Sequence, residues 1–128
     1  MRTRTRDRRR LTRLVAGTGA GAGLLLLARP QQVVDAVAPE FPGDRLWLVR
    51  LLGARLLAQH GAVLAVPDAR LVRWGSAVDL LHAASMLPFV AAPRYGRAAR
   101  ISGALAAGYA ALGAVGTVGA SSRRSDSR

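Results

Sequence analysis

The chain has 128 residues, 51% of them hydrophobic and only 5% aromatic, and carries a net charge of +12. This length suggests a single domain. No cysteine is present, which excludes disulfides, thiolate catalysis and cysteine-based metal or iron–sulfur sites.

All 19 basic residues are arginine, a bias that, with the abundance of Ala, Gly, Leu and Val, points to a high-GC coding sequence. Seven of them lie in residues 1–13 (MRTRTRDRRRLTR), directly before an apolar block. This segment reads as a disordered cytoplasmic arm. Its arginines orient a membrane chain by the positive-inside rule and attract anionic lipid head groups. A nucleic-acid arm is the competing reading, but no reading fold or interleaved aromatics accompany it, so no nucleic-acid partner is expected.

The first apolar block runs from Leu14 to Ala28. It has the length of a signal-peptide core, and Ala36-Val37-Ala38 offers a cleavage pattern. Proline at position 39 disfavours that cut, so a retained signal anchor is the preferred expectation, with a cleaved signal as the alternative. Gly17/Gly21 and Gly19/Gly23 form two overlapping GxxxG pairs that allow close approach to two neighbouring helices. Residues 29–45 hold three prolines and three acids, and read as a loop with a short interfacial helix at Gln31 to Val37.

The second apolar block, residues 46–66 (LWLVRLLGARLLAQHGAVLAV), keeps Arg50, Arg55, Gln59 and His60 inside a stretch long enough to cross a bilayer. It ends at Pro67-Asp68, a turn signal. A third crossing is expected over residues 72–92, with Pro88 freeing the carbonyl of Ala84 and loosening the final turns. A fourth spans Ile101 to Ala120, with small-residue stripes at Ala99/Gly103/Ala107/Ala111 and Ala106/Ala110/Ala114 suited to tight packing. Residues 121–128 close the chain as a polar tail. Trp47, Trp74 and Tyr95 fall near the ends of these blocks, where an aromatic belt belongs.

The predicted fold is therefore all-α: four transmembrane helices at 14–28, 46–66, 72–92 and 101–120, joined by short loops. With the N-terminus and C-terminus both cytoplasmic in a multi-pass cell-membrane protein, twelve arginines lie inside and five outside. The 93–100 loop, with Arg94, Arg97 and Arg100, goes against that bias.

Charge at membrane depth is the informative feature. A central arginine or aspartate costs about 2.5–3.5 kcal/mol, and each Leu or Val returns about 0.3–0.6. Arg50 lies near a helix start and can snorkel. Arg55 is central, so its helix needs a partner, most simply the third crossing in a hairpin. A turn near Asp68 sets Arg55 level with His82 and Gln59 level with Asp79. Arg55 and Gln59 share one helical face, as do Asp79 and His82. Tyr109, midway along the fourth crossing, can add its hydroxyl, while Ser76 and Ser85 are nearer the edges.

Two readings of Arg55, Gln59, Asp79, His82 and Tyr109 follow. One is an internal ion pair that neutralises unavoidable charges and holds two helices together. The other is a proton, quinone or small-ligand site, because a histidine beside a carboxylate titrates near neutral pH. Two histidines at different heights make a poor transition-metal site, and His60 reads as a helix-contact residue. No hydrolase triad, phosphate loop, paired-carboxylate motif or cofactor motif appears.

At R-L-L-G-A-R (Arg50 to Arg55) and A-V-D-L-L-H-A-A-S-M (Ala77 to Met86) the chain resembles small uncharacterised four-helix membrane proteins of high-GC bacteria. More remotely it is similar to DoxX-like proteins over about residues 46–110. That resemblance implies a four-helix bundle and, as in some members, quinone-linked redox association, a role to which the arginine arm and the lack of cysteine add nothing. The leading expectation is a non-enzymatic integral membrane protein with a lipid bilayer as solvent and a second copy or a membrane protein as partner. The competing class is a proton-coupled carrier or redox protein using Asp79 and His82.

Overall fold

A computed structural model describes residues 2–66 and 68–125, with side chains described for 6, 7, 9–66 and 68–115. Among the described residues all regular structure is helical. Five α-helices follow in chain order: α1 (Arg2–Ala28), α2 (Pro30–Val37), α3 (Leu46–Ala65), α4 (Ala69–Met86) and α5 (Gly96–Ser125). Short 3-10 turns at Gly43–Arg45 and Leu87–Phe89 precede α3 and follow α4.

The local chemistry explains most of the boundaries. Pro30 opens α2 at a position where its missing N–H costs nothing. The Asp68 carboxylate caps α4 by accepting from the Arg70 backbone N–H at 3.0 Å; Pro67 lies outside the described residues. At the other end Pro88 cannot donate to Ala84, and the Leu87 N–H takes that carbonyl in a 3-10 turn. The helix expected at 72–92 is accordingly shorter and earlier, running from Ala69 to Met86.

Two further boundaries correct the sequence reading. Residues 2–13 are helical and continue into the apolar block as one 27-residue helix. Arginine is a good helix former, and nothing before Pro30 breaks the run. At the far end α5 starts at Gly96 and runs to Ser125, so most of the expected 93–100 loop and part of the 121–128 tail are helix. Residues 126–128 lie outside the described residues. Arg100, in the first turns of α5, donates to the Val90 carbonyl at 3.1 Å, which gives one of the three arginines of residues 93–100 a local role.

The helices pack as two antiparallel pairs, α1 along α3 and α4 along α5, while α3 and α4 approach only over a short stretch. Glycine sets the first pairing. A Cβ at Gly23 would stand 2.6 Å from the Leu57 backbone N and 2.7 Å from the Gly53 carbonyl, so only hydrogen fits there. The other GxxxG pair, Gly17/Gly21, has nothing within 4 Å and serves no second neighbour among the described residues. On α5 the packing face is drawn from both predicted stripes: Ala99, Ala106 and Ala110 are buried, Gly103 lies near Met86 of α4, and Ala107, Ala111 and Ala114 are exposed.

The interior is thus built mostly of small residues, joined by Val34, Leu56 and Val63, and most of the large apolar ones face out. Leu14, Leu51, Leu81 and Leu105 are all more than half exposed, and Trp74 is 73% exposed. Asp79, by contrast, is 2% exposed. A soluble fold arranges these groups the other way round. Among the described residues three helical stretches, Arg9–Ala28, Gly43–Ala65 and Gly96–Val115, are long and apolar enough to cross a membrane. The α4 helix, with Arg70, Arg73, Asp79 and His82 in 18 residues, is not among them.

At one end of the bundle the segment after α2 folds over the helix ends. Phe41 meets Tyr95 edge-on at 5.6 Å, and Tyr95 meets Phe89 at 6.5 Å. Pro30, Val34 and Ala38 are buried in the same part of the chain.

Candidate functional site

The polar centre is assembled across the short approach of α3 and α4. Arg55 and Gln59 are one turn apart on α3, and Asp79 faces them from α4. Arg55 Nη2 donates to Asp79 Oδ1 at 2.7 Å, and Gln59 Nε2 donates to Asp79 Oδ2 at 2.8 Å. Gln59 Nε2 also reaches the Gly75 carbonyl at 3.3 Å, and its Oε1 accepts from Arg55 Nη2 at 3.3 Å. Both carboxylate oxygens therefore have charge-assisted or amide donors, the condition under which a buried carboxylate is tolerated.

The ion pair is asymmetric. Asp79 is almost fully enclosed, whereas the Arg55 side chain keeps 24% of its surface accessible. Only one of the three guanidinium nitrogens is used, and buried Nε and Nη1 have no hydrogen-bond partner.

Of the two other expected members, Tyr109 lines the same cavity as Gln59 and Asp79, while His82 bonds toward α5. His82 Nε2 lies 2.7 Å from Ser102 Oγ and ties α4 to α5. Ser85 bonds the His82 carbonyl, and Ser76 the Val72 carbonyl, each within its own helix. Tyr109 turns its ring onto His60, with centroids 4.7 Å apart and planes tilted by 51°.

His60 is the residue the sequence reading undervalued. It is a helix-contact residue as expected, packed so closely on Gly19 of α1 that any Cβ there would collide with the ring. It is also 6% exposed, with its Nε2 buried and unpartnered, and it shares a cavity of about 40 Å³ with Gln59, Asp79 and Tyr109. The signal in the sequence was Gly19, whose missing side chain makes room for an imidazole on the facing helix.

No protein-family model, curated protein or solved structure matches this chain. Its chemistry has to be argued from these contacts. Among the described residues no cluster of His, Asp and Glu could hold a metal ion. What the arrangement can do is hold one carboxylate and one guanidinium together at the centre of a small-residue bundle, next to a polar cavity.

Proposed function

We propose that the chain is a multi-pass cell-membrane protein with four crossings and both termini cytoplasmic. In this reading it is a non-enzymatic accessory or packing component, and the Arg55–Asp79–Gln59 network clasps the α1/α3 pair to the α4/α5 pair. The observation that carries this reading is the distribution on α4, a long helix too polar to qualify as a span by itself. Its Asp79 is enclosed at 2% exposure while its Trp74 and Leu81 stand more than 70% exposed. Hydrocarbon is the solvent that suits such a helix, provided that its charge is neutralised by a neighbour.

The arginines of residues 2–13 would then extend α1 beyond the inner face and meet anionic head groups, the partner chemistry this end favours. The resemblance to DoxX-like proteins rests on the residue pattern alone and adds only a four-helix expectation.

Reporter fusions test the topology. A reporter active only in the cytoplasm is expected to work at either terminus and at the Asp68 turn, and to fail near Arg94. Activity near Arg94 would remove α4 as a crossing. Alkaline carbonate should leave the protein in the membrane pellet, and release into the supernatant would refute the membrane reading as a whole.

A further inference from the structure

The cavity beside the ion pair sits among α1, α3, α4 and α5. At its deep end stand His60, Gln59, Asp79 and Tyr109, and at its other end Leu11 and Thr12 of α1 with Val72 and Leu112. Gly19 touches His60, and Leu11 lies eight residues earlier on the same helix, about 12 Å away at 1.5 Å per residue. The cavity thus leads from the middle of the bundle toward the arginine-rich end of α1.

Its size and lining suit water. A single water needs roughly 10–15 Å³ of such space and two or more polar partners. About 40 Å³ therefore holds about three waters, within reach of a carboxylate, a carboxamide, a phenol and an imidazole. One of these groups has an unmet requirement: His60 Nε2 is buried without a partner, and as donor or acceptor it needs one.

We propose that this cavity is a hydrated proton-binding site in which His60, rather than His82, takes up the proton, with Asp79 as the neighbouring anion. A proton arriving through cavity water forms an N–H bond at the imidazole and leaves a cation beside a carboxylate; its departure reverses the step, with no other reactant. The charged and titratable groups around His60 are Asp79 from α4, Tyr109 from α5 and Arg55 on its own helix. The face that α1 turns toward it is Thr12, Val15, Ala16 and the Gly19 backbone. His82, bonded to Ser102, stands outside the cavity lining.

This inference rests on the membrane reading above, and the experiment separates the two. Protein with isotope-labelled histidine is placed in lipid nanodiscs and its ring nitrogens followed by NMR, with His82→Gln assigning the two signals. Insertion into the disc tests the membrane reading independently. The His60 ring is expected to show exchange with water and reversible protonation as the pH is lowered. A His60 ring with no water contact and one fixed protonation state at every pH at which the protein stays folded would overturn the proposal.

Cysteine labelling gives a second measurement that leaves His60 and Asp79 intact. The natural chain has no cysteine, so each introduced thiol is unique. Thr12→Cys and Ser76→Cys should react with a membrane-impermeant thiol reagent about ten-fold faster than lipid-facing Leu81→Cys, because the thiolate forms only in contact with water. Equal rates at all three positions would show the cavity to be dry.

Discussion

Gly23→Ala places a methyl group where the structure has no room for one. Its Cβ would lie 2.6 Å from the Leu57 backbone N and 2.7 Å from the Gly53 carbonyl, and neither backbone atom can swing aside. An ordinary contact is 3.4 Å or more, so α1 must lift from α3 by about 0.7–0.8 Å. A gap of that order forfeits about a quarter to a half of each local dispersion contact. Overpacking of this kind costs about 1–3 kcal/mol, partly offset by up to about 1 kcal/mol from the higher helix propensity of alanine. Gly21→Ala, with nothing within 4 Å of its Cβ, makes the same chemical change with only the favourable part. Reversible unfolding in mixed micelles should therefore show Gly23→Ala destabilised by about 1–2 kcal/mol and Gly21→Ala neutral or slightly stabilised. Equal stabilities for the two variants would mean that α1 does not lie on α3 as described.

Asp79→Asn strands the Arg55 cation and should cost up to about 3–5 kcal/mol in the same assay, the lower end being expected because part of Arg55 stays accessible. The double variant Arg55→Leu/Asp79→Leu removes both charges and should recover most of that loss; a double variant as unstable as the sum of the single ones would refute the ion-pair account. Ser102→Ala deletes only the partner of His82 and should cost about 0.6 kcal/mol, the average for hydrogen bonds between membrane helices. Bromine-bearing lipids should quench both Trp74 and Trp47, which are 73% and 55% exposed, whereas emission unaffected by them would place both rings away from lipid.

Much of the polar centre could be read from the sequence because connectivity and depth were enough to place it. Pro67-Asp68 marked the turn, Arg55 and Gln59 shared a face, and Asp79 was the one acid at matching depth. Helix partners were harder to read. A hairpin of α3 and α4 implied contact along their length, but close approach went to the pairs that glycine permits: Gly23 and Gly53 between α1 and α3, Gly103 and Gly113 between α4 and α5. That leaves α3 and α4 bridged by long polar side chains over a short stretch. One turn beyond Asp79, His82 finds its nearer neighbour in α5 and bonds Ser102. His60 was undervalued for a related reason, since its role depends on α1 and α5 meeting around it, and helix periodicity within α3 carries no information about either.

The same small-residue surfaces explain why polar groups belong in this interior. An interface of Ala99, Ala106 and Ala110 offers no large side chain to lock one helix against another. Sliding by one turn would exchange alanine for alanine or glycine at little loss of dispersion. In hydrocarbon the penalty for a wrong register has to come from groups that cannot be left alone. Each packed pair of helices carries one such group: His60 against Gly19 for α3 and α1, Arg55 and Gln59 on Asp79 for α3 and α4, and His82 on Ser102 for α4 and α5. A shift of one residue in any pair strands a charge, an imidazole or an amide. On this argument Asp79 contributes more to uniqueness than to stability, and so the double apolar replacement should retain the folded mass while losing a single well-defined helix register.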